Sequence, residues 1–323
     1  MLILLVSLII PCYNEEKVIQ LFYKEIVKVS EQLTDYNFEF IFIDDGSSDY
    51  TLKLIKFLRE SDERIRFVSF SRNFGKEAAI FSGLQSAKGD FITIIDADLQ
   101  DPPSLLGEML KYIKNEGYDS VATRRVTRKG EPVIRSLLAR LFYKLINRMT
   151  NVEIVDGARD YRLMTKQFKD AVLSIGESHR FSKGIFGWVG FKTKWIEFEN
   201  VERSAGETKW SFWKLFKYAI DGIACFTTVP LRFASIVGIC VSITAFLYLI
   251  FIVVRTLIFG IDVAGYASTM AVVLFTSGLM LTSVGILGEY LARTYIEVKK
   301  RPIYIAKETE QTILTILNNE KLY

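Results

Sequence analysis

Two apolar runs in the last third of the chain constrain it more than any other feature. Residues 231–254 and 263–287 are almost unbroken apolar stretches, each at or above the roughly 20 residues a helix needs to cross a bilayer core. As helices of a soluble bundle they would need Phe246, Leu247, Tyr248, Leu249, Ile250 and Phe251 covered on every side. Both are therefore read as membrane spans. The second run carries Ser268, Thr269, Thr276, Ser277, Gly278, Thr282, Ser283 and Gly285. Such small residues suit close packing within the hairpin or between protomers, so a homo-oligomer is permitted.

These runs account for the composition. Half of the 323 residues are hydrophobic and 24% charged, and the mean hydropathy of +0.22 is high for a soluble enzyme. The net charge of +4 is too mild for a nucleic-acid binder, so placement of the basic residues matters more than their number. Lys209, Lys214, Lys217 and Arg232 precede the first run and Arg293, Lys299, Lys300 and Arg301 follow the second, against Arg255 and Asp262 in the connector. That asymmetry puts both termini in the cytoplasm. Just before the first run, a helix over 210–220 would gather Lys214 and Lys217 on one face and Trp210, Trp213, Phe216 and Ile220 on another. This pattern fits a helix lying in the membrane interface; an ordinary core-packing helix is the alternative. The expected organisation is a domain over 1–201, a juxtamembrane amphipathic region over 202–230, two transmembrane helices within 231–290 and a cytoplasmic tail over 291–323. The 1–201 portion is expected to be water-soluble alone.

Cys12, Cys225 and Cys240 are too scattered for a disulfide framework or a zinc knuckle. A single histidine, His179, rules out mechanisms needing two imidazoles and reads as a surface or satisfied residue. The apolar start, residues 1–10, is short, lacks a basic leader and runs into Pro11, so it reads as a buried strand.

From residue 2 to about 201, short apolar runs alternate with helical stretches, which predicts an α/β domain with a mostly parallel sheet. Strands are expected at 4–10, 38–43, 65–69 and 91–95, and helices at 17–33, 48–61 and 75–87. Ligands of such sheets bind beyond the carboxyl ends of the strands. Those positions hold Pro11-Cys12-Tyr13-Asn14-Glu15-Glu16, Asp44-Asp45-Gly46-Ser47-Ser48-Asp49, Ser71-Arg72-Asn73-Phe74-Gly75-Lys76 and Asp96-Ala97-Asp98-Leu99-Gln100-Asp101. Clustered carboxylates repel unless a cation lies between them. Asp96, Asp98 and Gln100 offer the hard oxygens that Mg²⁺ or Mn²⁺ takes, with substrate phosphates completing the shell. Asp44 to Ser47 also suits a turn and helix cap, which accounts for Gly46 and Ser47 but less well for two adjacent acids. Asp45 could accept hydrogen bonds from a ribose or base, walled by Pro11, Tyr13 and Glu15. Arg72 and Lys76 supply positive charge for a pyrophosphate, or are simply solvated.

Together with Ala122-Thr123-Arg124-Arg125, these ordered motifs resemble the family 2 glycosyltransferases of the GT-A fold, and within them the bacterial polyprenyl-phosphate glycosyltransferases, including the bactoprenol glucosyltransferases. The likeness continues through Asp160-Tyr161-Arg162-Leu163-Met164, Gly206-Glu207-Thr208-Lys209-Trp210, Pro230-Leu231-Arg232 and Gly288-Glu289-Tyr290. It implies inverting transfer of a hexose, glucose before others, from a nucleotide sugar such as UDP-glucose to undecaprenyl phosphate. The setting would be a multi-pass enzyme of the bacterial inner membrane with its catalytic domain in the cytoplasm. UDP-N-acetylglucosamine or GDP-mannose as donor, and a non-catalytic nucleotide-sugar sensor, are the alternatives. By motif the resemblance assigns Asp96, Asp98 and Gln100 to metal and diphosphate, and Pro11, Tyr13, Glu15 and Asp45, with Asp44 beside it, to the nucleotide sugar. It makes Arg124, Arg135, Arg203 and Lys209 candidates for the acceptor phosphate, with Asp96, Asp98 and Arg124 the catalytic set. A flippase and a periplasmic or extracellular glycosyltransferase are the partners expected to use the product. A processive polysaccharide synthase is disfavoured by the absence of a Gln-x-x-Arg-Trp motif and of further spans, and a Rossmann dehydrogenase by the absence of Gly-x-Gly-x-x-Gly after the first strand.

Overall fold

The computed structural model describes residues 3–126, 147–148, 155, 157–178, 180–199, 227–259 and 265–311. The chain divides into two units, Met1–Phe216 with Pro302–Tyr323, and Lys217–Arg301.

The first unit is built on an eight-stranded sheet: β1 (Leu4–Cys12), β2 (Tyr36–Asp44), β3 (Ile65–Phe70), β4 (Phe91–Ile94), β5 (Ser120–Arg125), β6 (Ala158–Thr165), β7 (Thr193–Phe198) and β8 (Ala306–Thr309), ordered β7-β5-β6-β4-β1-β2-β3-β8. Four neighbouring pairs are parallel: β1 with β2, β1 with β4, β2 with β3 and β5 with β7. Strand β6 runs antiparallel between β4 and β5, and β8 runs antiparallel to β3. The central strands read as continuous apolar runs because both faces are covered: Leu8, Ile9, Ile10, Phe40, Ile41, Phe42 and Ile43 have no exposed surface. Helices α1 (Ile19–Gln32), α2 (Thr51–Ser61), α3 (Lys76–Ser86) and α4 (Leu106–Glu116) provide the cover. Amphipathic α1 buries Ile19, Phe22 and Ile26. Helix α3 instead presents Ala78, Ala79 and Gly83, and a Cβ on Gly83 would lie 2.1 Å from Ile9 Cγ2, so this small face lets α3 sit directly on β1. Two shorter helices follow β6: α5 (Lys166–Ser174) and α6 (Ser182–Trp188). Thr165 caps α5, its hydroxyl accepting from Phe168 N.

Each strand expected from the sequence forms within two residues of the expected ends. Beyond the second apolar run, in the stretch expected to be a tail, residues 306–309 pair with β3 and close that edge of the sheet.

The second unit contains α7 (Val229–Phe259) and α8 (Tyr266–Lys299), with no part of their apolar windows buried in protein. At about 1.5 Å per residue both exceed the ~30 Å hydrocarbon core. Hydroxyls in these helices bond to their own backbone: Thr244 to the Cys240 carbonyl, Thr276 to Val272 and Thr282 to Gly278, so these polar groups are satisfied within their own helices, as an apolar surrounding requires. Tyr290, in the Gly-Glu-Tyr motif, donates to the Thr227 carbonyl at 2.7 Å and ties the late part of α8 to the start of α7. The interfacial helix expected over 210–220 lies outside the described residues.

Candidate active site

The loops after β1 and β2 are interlocked. Asn14 takes a left-handed conformation (φ 54°); its N–H donates to Ser47 Oγ at 3.0 Å, and its side-chain oxygen accepts from Ser48 N at 2.9 Å. Glu15 N donates to Thr51 Oγ1, and Tyr50 N to the Glu16 carboxylate. Much of the polar sequence at these strand ends thus builds the loops. Tyr13 keeps 39% of its surface exposed above them.

The two aspartates ending β2 are both buried. Asp44 turns inward, accepting from Ser69 Oγ at 2.7 Å and Ser47 N at 3.1 Å. Asp45 holds the loop before α3, accepting from Phe74 N at 2.7 Å and Gly75 N at 3.0 Å. Burial raises its pKa against the lowering pull of these two N–H groups. A glycine is required between them and Ser47: Gly46 has φ +67°, and a Cβ there would lie 2.4 Å from the Arg72 carbonyl carbon. Of the groups proposed for a nucleoside, Asp44 is therefore engaged inside the fold and Asp45 acts on the backbone of the next loop.

The third and fourth strand-end clusters meet at Lys76. Its ammonium lies 2.7 Å from Asp96 and 2.5 Å from Asp160. Asp160 opens β6 and is also 4.0 Å from Lys183. Arg159, beside it, forms two hydrogen bonds to Asp101, at 2.8 and 3.3 Å, and reaches Gln100 Oε1 at 3.5 Å. Burial works against ionisation of Asp160, but Lys76 with Lys183 behind it holds the carboxyl well below the usual range. Burial lifts Asp101 to about 6, opposed by Arg159.

The chain itself supplies part of the positive charge that these carboxylates need. Asp96, Asp101 and Asp160 receive cations of the chain, Lys76, Arg159 and Lys183. Lys76, expected to meet a pyrophosphate, is held between two carboxylates. Arg72 lies over the Phe74 ring at 4.0 Å and donates to the Asn73 carbonyl. Among the described residues no three His, Cys, Asp or Glu side chains converge to enclose a metal ion. Asp96 and Asp98, two residues apart and partly exposed, with Gln100 beyond, still fit an ion that completes its shell with phosphate oxygens.

Arg124, near the end of β5, pairs with Glu197 through Nε (3.0 Å) and through its terminal nitrogen. Arg135, Arg203 and Lys209 lie outside the described residues. The sequence reading missed Arg159, Asp160, Asp101 and Lys183 as site residues. The available signal was a charged pair, Arg159-Asp160, opening an otherwise buried strand.

A family model described as Glycosyl transferase family 2 matches residues 7–172. The protein CsbB of Bacillus subtilis (strain 168) is 45% identical over 94% of this chain and 92% of its own length. The chain is a family 2 glycosyltransferase. Another relative of this glycosyltransferase, the prophage bactoprenol glucosyl transferase homolog of Escherichia coli (strain K12), is 42% identical over 95% of this chain and 99% of its own. Among solved structures, mannosyl-3-phosphoglycerate synthase from Rubrobacter xylanophilus overlays with a TM-score of 0.46 at 17% identity, over 68% of this chain and 71% of its own. So loose a likeness adds nothing to the family assignment. As a family 2 glycosyltransferase the chain has the GT-A fold, and its motif-bearing loops lie at the carboxyl ends of the parallel strands.

Proposed function

We propose that this glycosyltransferase moves a hexose, glucose before others, from UDP-glucose to undecaprenyl phosphate at the cytoplasmic face of a bacterial inner membrane, with inversion at the anomeric carbon. The observation that carries the reading is a near full-length relative named as a bactoprenol glucosyl transferase homolog, joined to two helices long and apolar enough to cross a membrane. The pairing of β8 with β3 supports an even number of crossings, since residues before and after the two helices share one sheet. The basic flanks of the two helices support a cytoplasmic location for that sheet.

The acceptor chemistry suits this chain. A phosphate monoester has a second pKa of about 6 and is largely ionised near neutral pH, so no strong base is needed to activate it. The demand shifts to holding a dianion in line with the anomeric carbon. Arg124, with Arg135, Arg203 and Lys209, is assigned that task. The cluster of Lys76, Arg159 and Lys183 holds Asp96 and Asp160 in place and keeps Asp160 ionised. A hard divalent ion, Mg²⁺ or Mn²⁺, held by Asp96, Asp98 and Gln100 would neutralise the charge building on the departing diphosphate.

Membranes containing the enzyme, incubated with radiolabelled nucleotide sugars and a short polyprenyl phosphate, should pass label from UDP-glucose into the extracted lipid. Label from UDP-N-acetylglucosamine or GDP-mannose alone would move the donor assignment, and no labelled lipid from any donor would overturn the reading. Arg124→Ala should raise the acceptor KM about tenfold while the donor KM stays within about twofold, as expected for loss of one charge-assisted phosphate contact. Equal increases in both would remove Arg124 from the acceptor site.

A further inference from the structure

The loop that carries Arg72 into α3 is clamped from two sides. Asp45 and Gly46 hold one side, as described above. The other is held by chain that returns to the sheet only after α8. Ser71 N donates to the Ile305 carbonyl at 3.0 Å. The Tyr304 ring stacks on Phe70 with centroids 4.7 Å apart and planes at 22°. Phe70 in turn meets Phe74 edge-on at 5.8 Å, and Phe74 carries the Arg72 guanidinium on its face. Tyr304 also donates to Gln85 Oε1 on α3 at 3.1 Å. A continuous stack therefore runs from Tyr304 through Phe70 and Phe74 to Arg72, and the backbone of Phe74 and Gly75 is fixed in the same loop by Asp45.

Away from this stack, the same returning segment is held by charge. Glu308 pairs with Lys56 at 2.7 Å, and Glu310 with Arg66 at 2.9 Å. These ion pairs secure the strap to the sheet, while Tyr304 and Ile305 reach the loop. One segment thus has two separable parts, an anchor and a positioning contact.

We infer that Tyr304 is a positioning residue for the nucleotide-sugar donor: by stacking on Phe70 it sets the Arg72–Gly75 loop in its donor-binding shape, so the chain emerging from the apolar helices completes the donor pocket. The inference rests on the donor reading given above. It assigns a role in donor binding to a segment that the sequence reads as a tail.

The test uses the full-length enzyme in detergent, with donor and acceptor KM measured separately and UDP binding followed by calorimetry. Tyr304→Ala should raise the donor KM and weaken UDP binding about three- to tenfold, the scale of one aromatic pair, with the acceptor KM unchanged. Tyr304→Phe keeps the stacked ring and should behave as the wild type. Glu310→Ala should lower the melting temperature and leave the donor KM where it was. Tyr304→Leu, which keeps apolar bulk and loses the ring, carries the same comparison should the alanine variant fail to fold. Equal rises in both KM values, a phenylalanine variant as impaired as the alanine one, or a Glu310→Ala variant with the same donor defect would overturn the inference. Failure of the wild type to bind UDP or any other nucleotide would instead overturn the donor reading beneath it.

Discussion

Asp98→Asn is expected to cut turnover at least 100-fold, roughly, because an ion on a departing diphosphate supplies several kcal/mol of transition-state stabilisation. Folding should survive the change. Asp98 is partly exposed, and its Oδ1 accepts the Gln100 N–H at 3.1 Å, a bond the asparagine oxygen can still accept. The substitution is cleaner than one at Asp96, whose carboxylate is also a partner of Lys76 and whose loss would disturb the Lys76–Asp160 pair. Two readouts are needed: turnover, and Mn²⁺ affinity by paramagnetic resonance in the presence of UDP. Both should fall together. Near-normal turnover, or unaltered Mn²⁺ affinity, would remove the metal role from this residue.

The second large effect concerns stability. Ending the chain after Arg301 removes β8, opens the edge of β3 and takes Glu310 from Arg66, a pair in which the side chains are only 11% and 17% exposed. It also strips Tyr304 from Phe70. A charged hydrogen bond of this kind and an aromatic pair contribute on the order of 3 kcal/mol together. For a unit of this size that lowers the melting temperature by about 6–12 °C. Chains ending at Arg301 and at Gln311, compared by scanning fluorimetry in detergent, should differ by that amount, and equal melting would refute the role given to β8. The open β3 edge also concerns the 1–201 portion, expected from the sequence to be water-soluble alone. Made alone it would carry an unpaired β3 edge, a template for aggregation, and joining residues 302–311 to it through a flexible linker should lower any tendency to self-associate.

The strands at the centre of the sheet were legible because burial on both faces leaves runs such as Phe40 to Ile43 continuously apolar. The loops around the site were legible for a related reason. In a parallel sheet the strand ends fall at one edge, so Asp45, Arg72 and Asp96 could be assigned to one crevice by their position after strands. Asp160 escaped because β6 is antiparallel. Its first residues, and not its last, reach that edge, so a rule that looks after each strand looks at the wrong end of this one.

The membrane-length helices, the family and the carboxylate motifs are local properties of the sequence: length, apolar content and spacing determine them without reference to distant residues. Tertiary structure decided how the charges are shared. Lys76 and Asp160 are 84 positions apart, and only the antiparallel insertion of β6 beside β4 brings them together. Likewise nothing in residues 302–311 announces a strand; the free edge of β3, with Arg66 and Phe70 along it, gives Ala306–Thr309 its place. Such pairings depend on which backbone edges and charges remain unmatched once the rest of the sheet has formed.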